Sequence, residues 1–406
     1  MSTAPMTETA GSPTTRVVKL PLWGLLALFT AAFTAVMTEL LPAGLLPQMS
    51  GSLRVSEGRV GFLVTGYAAA SFLSAIPLTT ALRGLPRRPV LVGALVGFGL
   101  CNAVTAFSSS YGLTFAARLL AGAMGGTLWA MLAGYAARMV PAERRGRAIA
   151  IVLAGITVAL SLGVPAGTAL ATVFGWRAGF ASLAGLGVVL VAWVRWMVPD
   201  FPGEPAAERV PLRRTAAMPG IPTVLAITLL LLLGHHVMYT YMAPFAEHSG
   251  FGRTSLVLFV FGIATVAGIW IVGMLIDRRP RSTLLGALAL VAAAMFTLGL
   301  FADAPAVLLI AVALWGAAFG GAPTLLQTAL VDISGPANAD VATSLQATVY
   351  NVGIAAGSLA GGVVLESSGA GAGALPWTAL ALVAAALATV AAARRHAFPA
   401  TRRPTH

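Results

Sequence analysis

Apolar residues in this chain neither alternate with polar ones, as in a half-buried strand, nor keep to one face of an amphipathic helix. They run on in stretches separated by short polar segments, and twelve such stretches are read at 20–46, 59–82, 89–108, 111–137, 147–174, 178–198, 221–246, 254–276, 282–302, 304–328, 341–366 and 372–393. A crossing helix needs ~20 mostly apolar residues, because each main-chain N–H and C=O must find its partner inside the segment where water is absent. The pattern predicts an all-α integral membrane protein with 12 transmembrane helices.

One polar gap stands apart. Residues 199–220, PDFPGEPAAERVPLRRTAAMPG, carry five prolines and six charges between the sixth and seventh stretches. They predict a linker joining a six-helix bundle at 20–198 to a second at 221–393, with tails at 1–19 and 394–406. The halves repeat at an offset of 194: Gly122 falls on Gly316, Gly126 on Gly320, Gly163 on Gly357, Gly167 on Gly361 and Arg87 on Arg281. Two pseudo-symmetric bundles of this kind bind substrate near the membrane midplane, between the halves.

Composition agrees with the pattern: 58% of the 406 residues are hydrophobic and 9% charged, against about a quarter charged in a soluble domain. The net charge of +12 would suggest nucleic acid in a soluble protein. Here its placement assigns it to topology. With a cytoplasmic N-terminus, 20 of the 25 Lys and Arg fall in tails and loops on the cytoplasmic side. Both termini are therefore expected in the cytoplasm of a multi-pass cell-membrane protein, with the first span retained. The lone cysteine, Cys101, excludes an internal disulfide and is expected to pack as a small apolar residue.

In the fifth span, GITVALSLGVPAGTAL places Gly155, Ala159, Gly163 and Gly167 four residues apart, a stripe that lets another helix approach closely, with Pro165 set to bend it. GVPAG resembles the antiporter motif of the major facilitator superfamily. ARLLAG, with Arg118, resembles that family's fourth-helix motif, and GMLIDRRPR, with Asp277, Arg278 and Arg281, its loop motif in the second-half copy. TELLPAGLLP, GWRAGF, HHVMYTYMAPF and ADVATSLQATVYNVGIAAG together resemble the 12-helix drug/proton antiporter subfamily, near its sugar-, purine- and chloramphenicol-efflux members. The resemblance implies the major facilitator fold, alternating access, multidrug or metabolite efflux, and gating roles for Gly163, Pro165, Gly167, Asp277, Arg278 and Arg281. Arg83 stands where the first-half loop motif carries Asp, which shifts the latch toward the second copy.

Of thirteen acidic residues, only Glu39 sits well inside a span. A carboxylate at that depth costs on the order of 3 kcal/mol, so it faces a cavity, is paired or takes up a proton. Glu39 and Arg118 each lie seven residues from the outer end of their spans, roughly 10 Å below the surface. They are expected to pair, with Glu39 as the titrating partner; a static ion pair is the competing reading. His235 matches the family's histidine position, and Tyr239, four residues on, shares its face. With Asn351 and Trp315, also near the midplane, these form the expected substrate set. Adjacent His235 and His236 lack the spacing of a metal site, and no cofactor is expected.

These features point to a secondary transporter exporting a small organic molecule against protons. Proton-coupled uptake is the alternative. A membrane-embedded enzyme would need HExxH, GxSxG or another catalytic set, and an ATP-driven pump GxxxxGK[ST]; none is found. The expected partners are a small-molecule substrate, protons and the lipid bilayer, with no nucleic acid, and the protein is expected to be a monomer.

Overall fold

The computed structural model describes residues 20–82, 84–141, 144–202, 216–276, 279–334, 339–367 and 371–393. Both tails, most of the linker, Arg83, Asp277 and Arg278 lie outside the described residues. Among those described, the elements are helical, with no strand. The first half comprises α1 (Leu22–Leu40), α2 (Leu46–Leu53), α3 (Glu57–Leu82), α4 (Arg87–Phe107), α5 (Tyr111–Arg138), α6 (Arg145–Val158), α7 (Val164–Phe174) and α8 (Trp176–Met197). The second comprises α9 (Ile221–Tyr239), α10 (Met242–His248), α11 (Thr254–Leu275), α12 (Pro280–Phe301), α13 (Pro305–Ser334), α14 (Ala339–Glu366) and α15 (Leu375–Ala392).

Eleven helices among the described residues are long and apolar enough to cross a membrane. The second expected span is occupied by α3, whose 26 residues reach roughly 39 Å. Side chains such as Phe107, Val188 and Trp270 stand exposed on the flanks, where hydrocarbon rather than water surrounds a crossing helix.

Proline breaks two of the spans. The first divides into α1, a 3-10 turn over Leu41–Gly44 and α2, because Pro42 has no N–H for the carbonyl of Thr38 four residues back. The seventh breaks between α9 and α10 at the same pattern, Thr240 followed four residues later by Pro244. In the fifth span, Pro165 leaves the Ser161 carbonyl without its usual donor, and the helix widens into a π turn over Ala159–Gly163.

The repeat is legible in the packing. α1 packs on α6 as α9 packs on α14, α3 on α5 as α11 on α13, and α4 on α8 as α12 on α15. A Cβ at Gly122 would strike the Tyr67 carbonyl and one at Gly316 the Phe261 carbonyl; Gly126 and Gly320 abut the carbonyls of Ser71 and Thr265 in the same way. The partners, like the glycines, are 194 residues apart. Glycine is required at these four places because main chain, which cannot move aside like a side chain, fills the space.

The fifth-span stripe lies on α1. Gly155 abuts the Phe29 carbonyl, Gly163 the side chains of Phe33 and Met37, and Gly167 that of Leu41. The halves meet toward the end of the bundles where α1 stops, through α3 against α14 and α7 against α11. There Glu366 fills the space over Gly58 and contacts Ser56 Oγ, while Tyr241 lies against Gly61 and donates to the Ser358 carbonyl at 2.7 Å.

Candidate functional site

A cavity of about 460 Å³ lies next to this packed end, between α1, α5 and α6 on one side and α9, α13 and α14 on the other. Its walls carry Trp129, Phe319 and Tyr350; its polar groups include Glu39, His235, His236, Gln327, Gln346 and Asn351. Aromatic and aliphatic walls with a few polar groups are the usual make-up of a small-molecule site.

Glu39 reaches the cavity from the last turn of α1. The residue is 7% exposed, and its Oε1 has no hydrogen-bond partner. Arg118, 1% exposed, comes to the same place from α5, but it binds main chain: Nη1 donates to the Thr38 carbonyl and Nη2 to the Glu39 carbonyl at 3.1 Å. The first of these is the carbonyl left free by Pro42, so the guanidinium takes the place of the missing N–H. Its Cζ also lies 4.8 Å from the Tyr67 ring centroid, within cation–π range. Asn102 Nδ2 donates to Thr38 Oγ1 at 2.9 Å. Arg118 thus braces the broken end of α1, and the expected side-chain ion pair is replaced by a bond to the backbone of the same glutamate.

The expected substrate set divides. His235 and Asn351 line the cavity, whereas Tyr239 and Trp315 do not. Tyr239 and Trp315 sit behind it with His235, Phe261 and Phe319 in one aromatic cluster, where His235 stacks on Phe319 at 3.6 Å and on Tyr239 at 5.1 Å. Trp315 is fully buried and so belongs to the packing behind the site. Asn351 donates one amide N–H to the Ala347 carbonyl at 3.0 Å. Sequence reasoning missed Trp129, Phe319, Gln346 and Tyr350 and set His236 aside. The signal for Gln346 was present: like Asn351, five residues on, it is an amide inside an apolar stretch.

Of the residues expected to gate, Gly163 and Gly167 pack on α1 and Pro165 follows the π turn in the first turn of α7. Arg281 Nη2 donates to the carbonyls of Val390 (3.3 Å) and Ala391 (3.1 Å) at the C-terminal end of α15. Unpaired helix-end carbonyls attract a cation in this way. Cys101 is buried, as expected.

The chain matches the Major Facilitator Superfamily over residues 28–358 and again over 253–406. It belongs to that superfamily. It is 30% identical over 357 residues to the MFS-type transporter YfhI of Bacillus subtilis (strain 168), covering 84% of this chain and 87% of that one. It is 28% identical over 359 residues to the purine ribonucleoside efflux pump NepI of Escherichia coli (strain K12), covering 86% and 89%. The inward open structure of the xylose transporter XylE from E. coli superposes with a TM-score of 0.72 at 16% identity, over 95% of this chain and 98% of that one. This superfamily member is therefore a multi-pass membrane transporter of a small molecule, and no enzyme.

Proposed function

We propose that this transporter exports a small neutral organic molecule in exchange for protons by alternating access, and that Glu39 carries the proton. The observation behind the reading is the buried, unpartnered Glu39 Oε1 at the wall of the central cavity. A carboxylate in hydrocarbon surroundings that lacks a counter-ion contact is stabilised by taking up a proton or by accepting a bond from substrate. Either event removes the same cost, which gives the exchange its coupling.

Arg118 holds the end of α1 to α5 and so sets where Glu39 stands. The bundles at 20–198 and 221–393 rock against each other, the π turn at Pro165 supplies compliance, and the inner latch draws on Asp277, Arg278 and Arg281. Positive-charge placement supports cytoplasmic termini in the cell membrane, and both bundles are present in one chain, which suffices for a monomer.

The name of the NepI relative makes a purine ribonucleoside the first substrate to test. In inverted membrane vesicles, a proton gradient should drive uptake of radiolabelled adenosine, and an uncoupler should abolish it. Accumulation insensitive to uncoupler would refute proton antiport.

A further inference from the structure

Three amides approach the cavity, and they differ in what they have left to offer. Asn351 has committed one of its two amide N–H donors to its own helix. Gln327 is exposed. Gln346 is 4% exposed, lines the cavity from α14, and its Nε2 has no partner. Glu39 Oε1 and His236 Nδ1 are likewise buried and unpartnered on the walls of the same cavity. Leaving a buried donor unmet costs more than a typical hydrogen bond returns, so these groups point to a ligand that meets them.

We propose that Gln346 reads the base of the substrate. Its carboxamide pairs side by side with an adjacent acceptor and donor on a flat heteroaromatic ring, such as N7 and the 6-amino group of adenine, while the aromatic walls hold the ring faces. A carboxamide presents its N–H₂ and C=O in one plane, and it recognises that purine edge in this bidentate way. The unpartnered carboxylate of Glu39 in the same cavity selects against an anionic ligand and favours a neutral one. The inference rests on the nucleoside reading above and adds the residue that distinguishes one base edge from another.

The test compares binding of adenosine and 7-deazaadenosine, which lacks the N7 acceptor, to the purified full-length protein. Wild type should prefer adenosine roughly five- to tenfold, the value of one such bond. Gln346→Leu should bring the ratio to about one. Gln346→Glu, nearly the same shape but without the donor, should bring it to one or below. The ratio is internal to each variant, so a partly unfolded sample does not distort it. A wild type that binds both equally, or variants that keep the preference, would overturn the role of Gln346 and leave the nucleoside reading intact. Complete loss of both ligands in both variants would also overturn it, because only the N7 contact distinguishes them and the shared 6-amino contact is one bond, worth roughly five- to tenfold. A wild type that binds neither would remove the nucleoside reading and this inference together.

Discussion

At the scale of single residues, Glu39 and Arg118 illustrate two different uses of a charge inside a membrane. Glu39 keeps an oxygen free at a cavity wall, and Arg118 turns its two terminal nitrogens to main-chain carbonyls, one of them released by a proline. Glu39→Gln should therefore abolish proton-driven uptake in inverted vesicles while nucleoside binding persists; full gradient-driven transport by this variant would remove Glu39 from the coupling. Arg118→Ala leaves two main-chain acceptors unmet and should cost about 1 to 3 kcal/mol, read as a lower melting temperature in detergent. Arg118→Lys should recover only part of this, since a single ammonium lacks the planar fork that reaches both carbonyls. Complete recovery by lysine would show that charge alone matters.

At the scale of helices, small residues and prolines decide how closely elements approach and where they bend. Gly122 and Gly316 occupy equivalent positions against equivalent carbonyls. Gly122→Ala and Gly316→Ala should each destabilise by about 1 to 3 kcal/mol, the usual cost of overpacking. Comparable losses from the two would express the repeat, and a neutral substitution at either would show that the helices can part there without cost. The fifth-span stripe was read as a close-packing face, and Gly155, Gly163 and Gly167 do lie on α1. The π turn was not legible beyond the bend that Pro165 implied, because either a kink or a widened turn accommodates a missing N–H.

At the scale of the molecule, the ends of the halves where α1 stops, outer in the proposed orientation, are packed together and the cavity lies next to them. Tyr241 against Gly61 and Glu366 over Gly58 make this closure depend on two glycines facing bulky partners. Gly61→Leu should hold the outer end apart. A cysteine replacing Val36, beside the cavity, should then react faster with a membrane-impermeant thiol reagent added from the outside, while transport falls. Unchanged labelling together with normal transport would show that the closure does not use this contact.

The sequence by itself determined the all-α membrane class, the repeat, the superfamily and the place of Glu39 inside its span, since each depends on what lies along one chain: run length, spacing and the depth of a charge in its span. Tertiary structure decided which atoms meet. Glu39 and Arg118 share a depth in the sequence, but only the packing of α5 on α1 sends the guanidinium to the backbone and leaves the carboxylate free. His235, Tyr239, Trp315 and Asn351 share a level near the midplane, yet the turn of each helix puts two of them behind the wall, and Gln346, from α14, in front. Depth is a property of one helix, whereas orientation toward a cavity is set by all the helices around it.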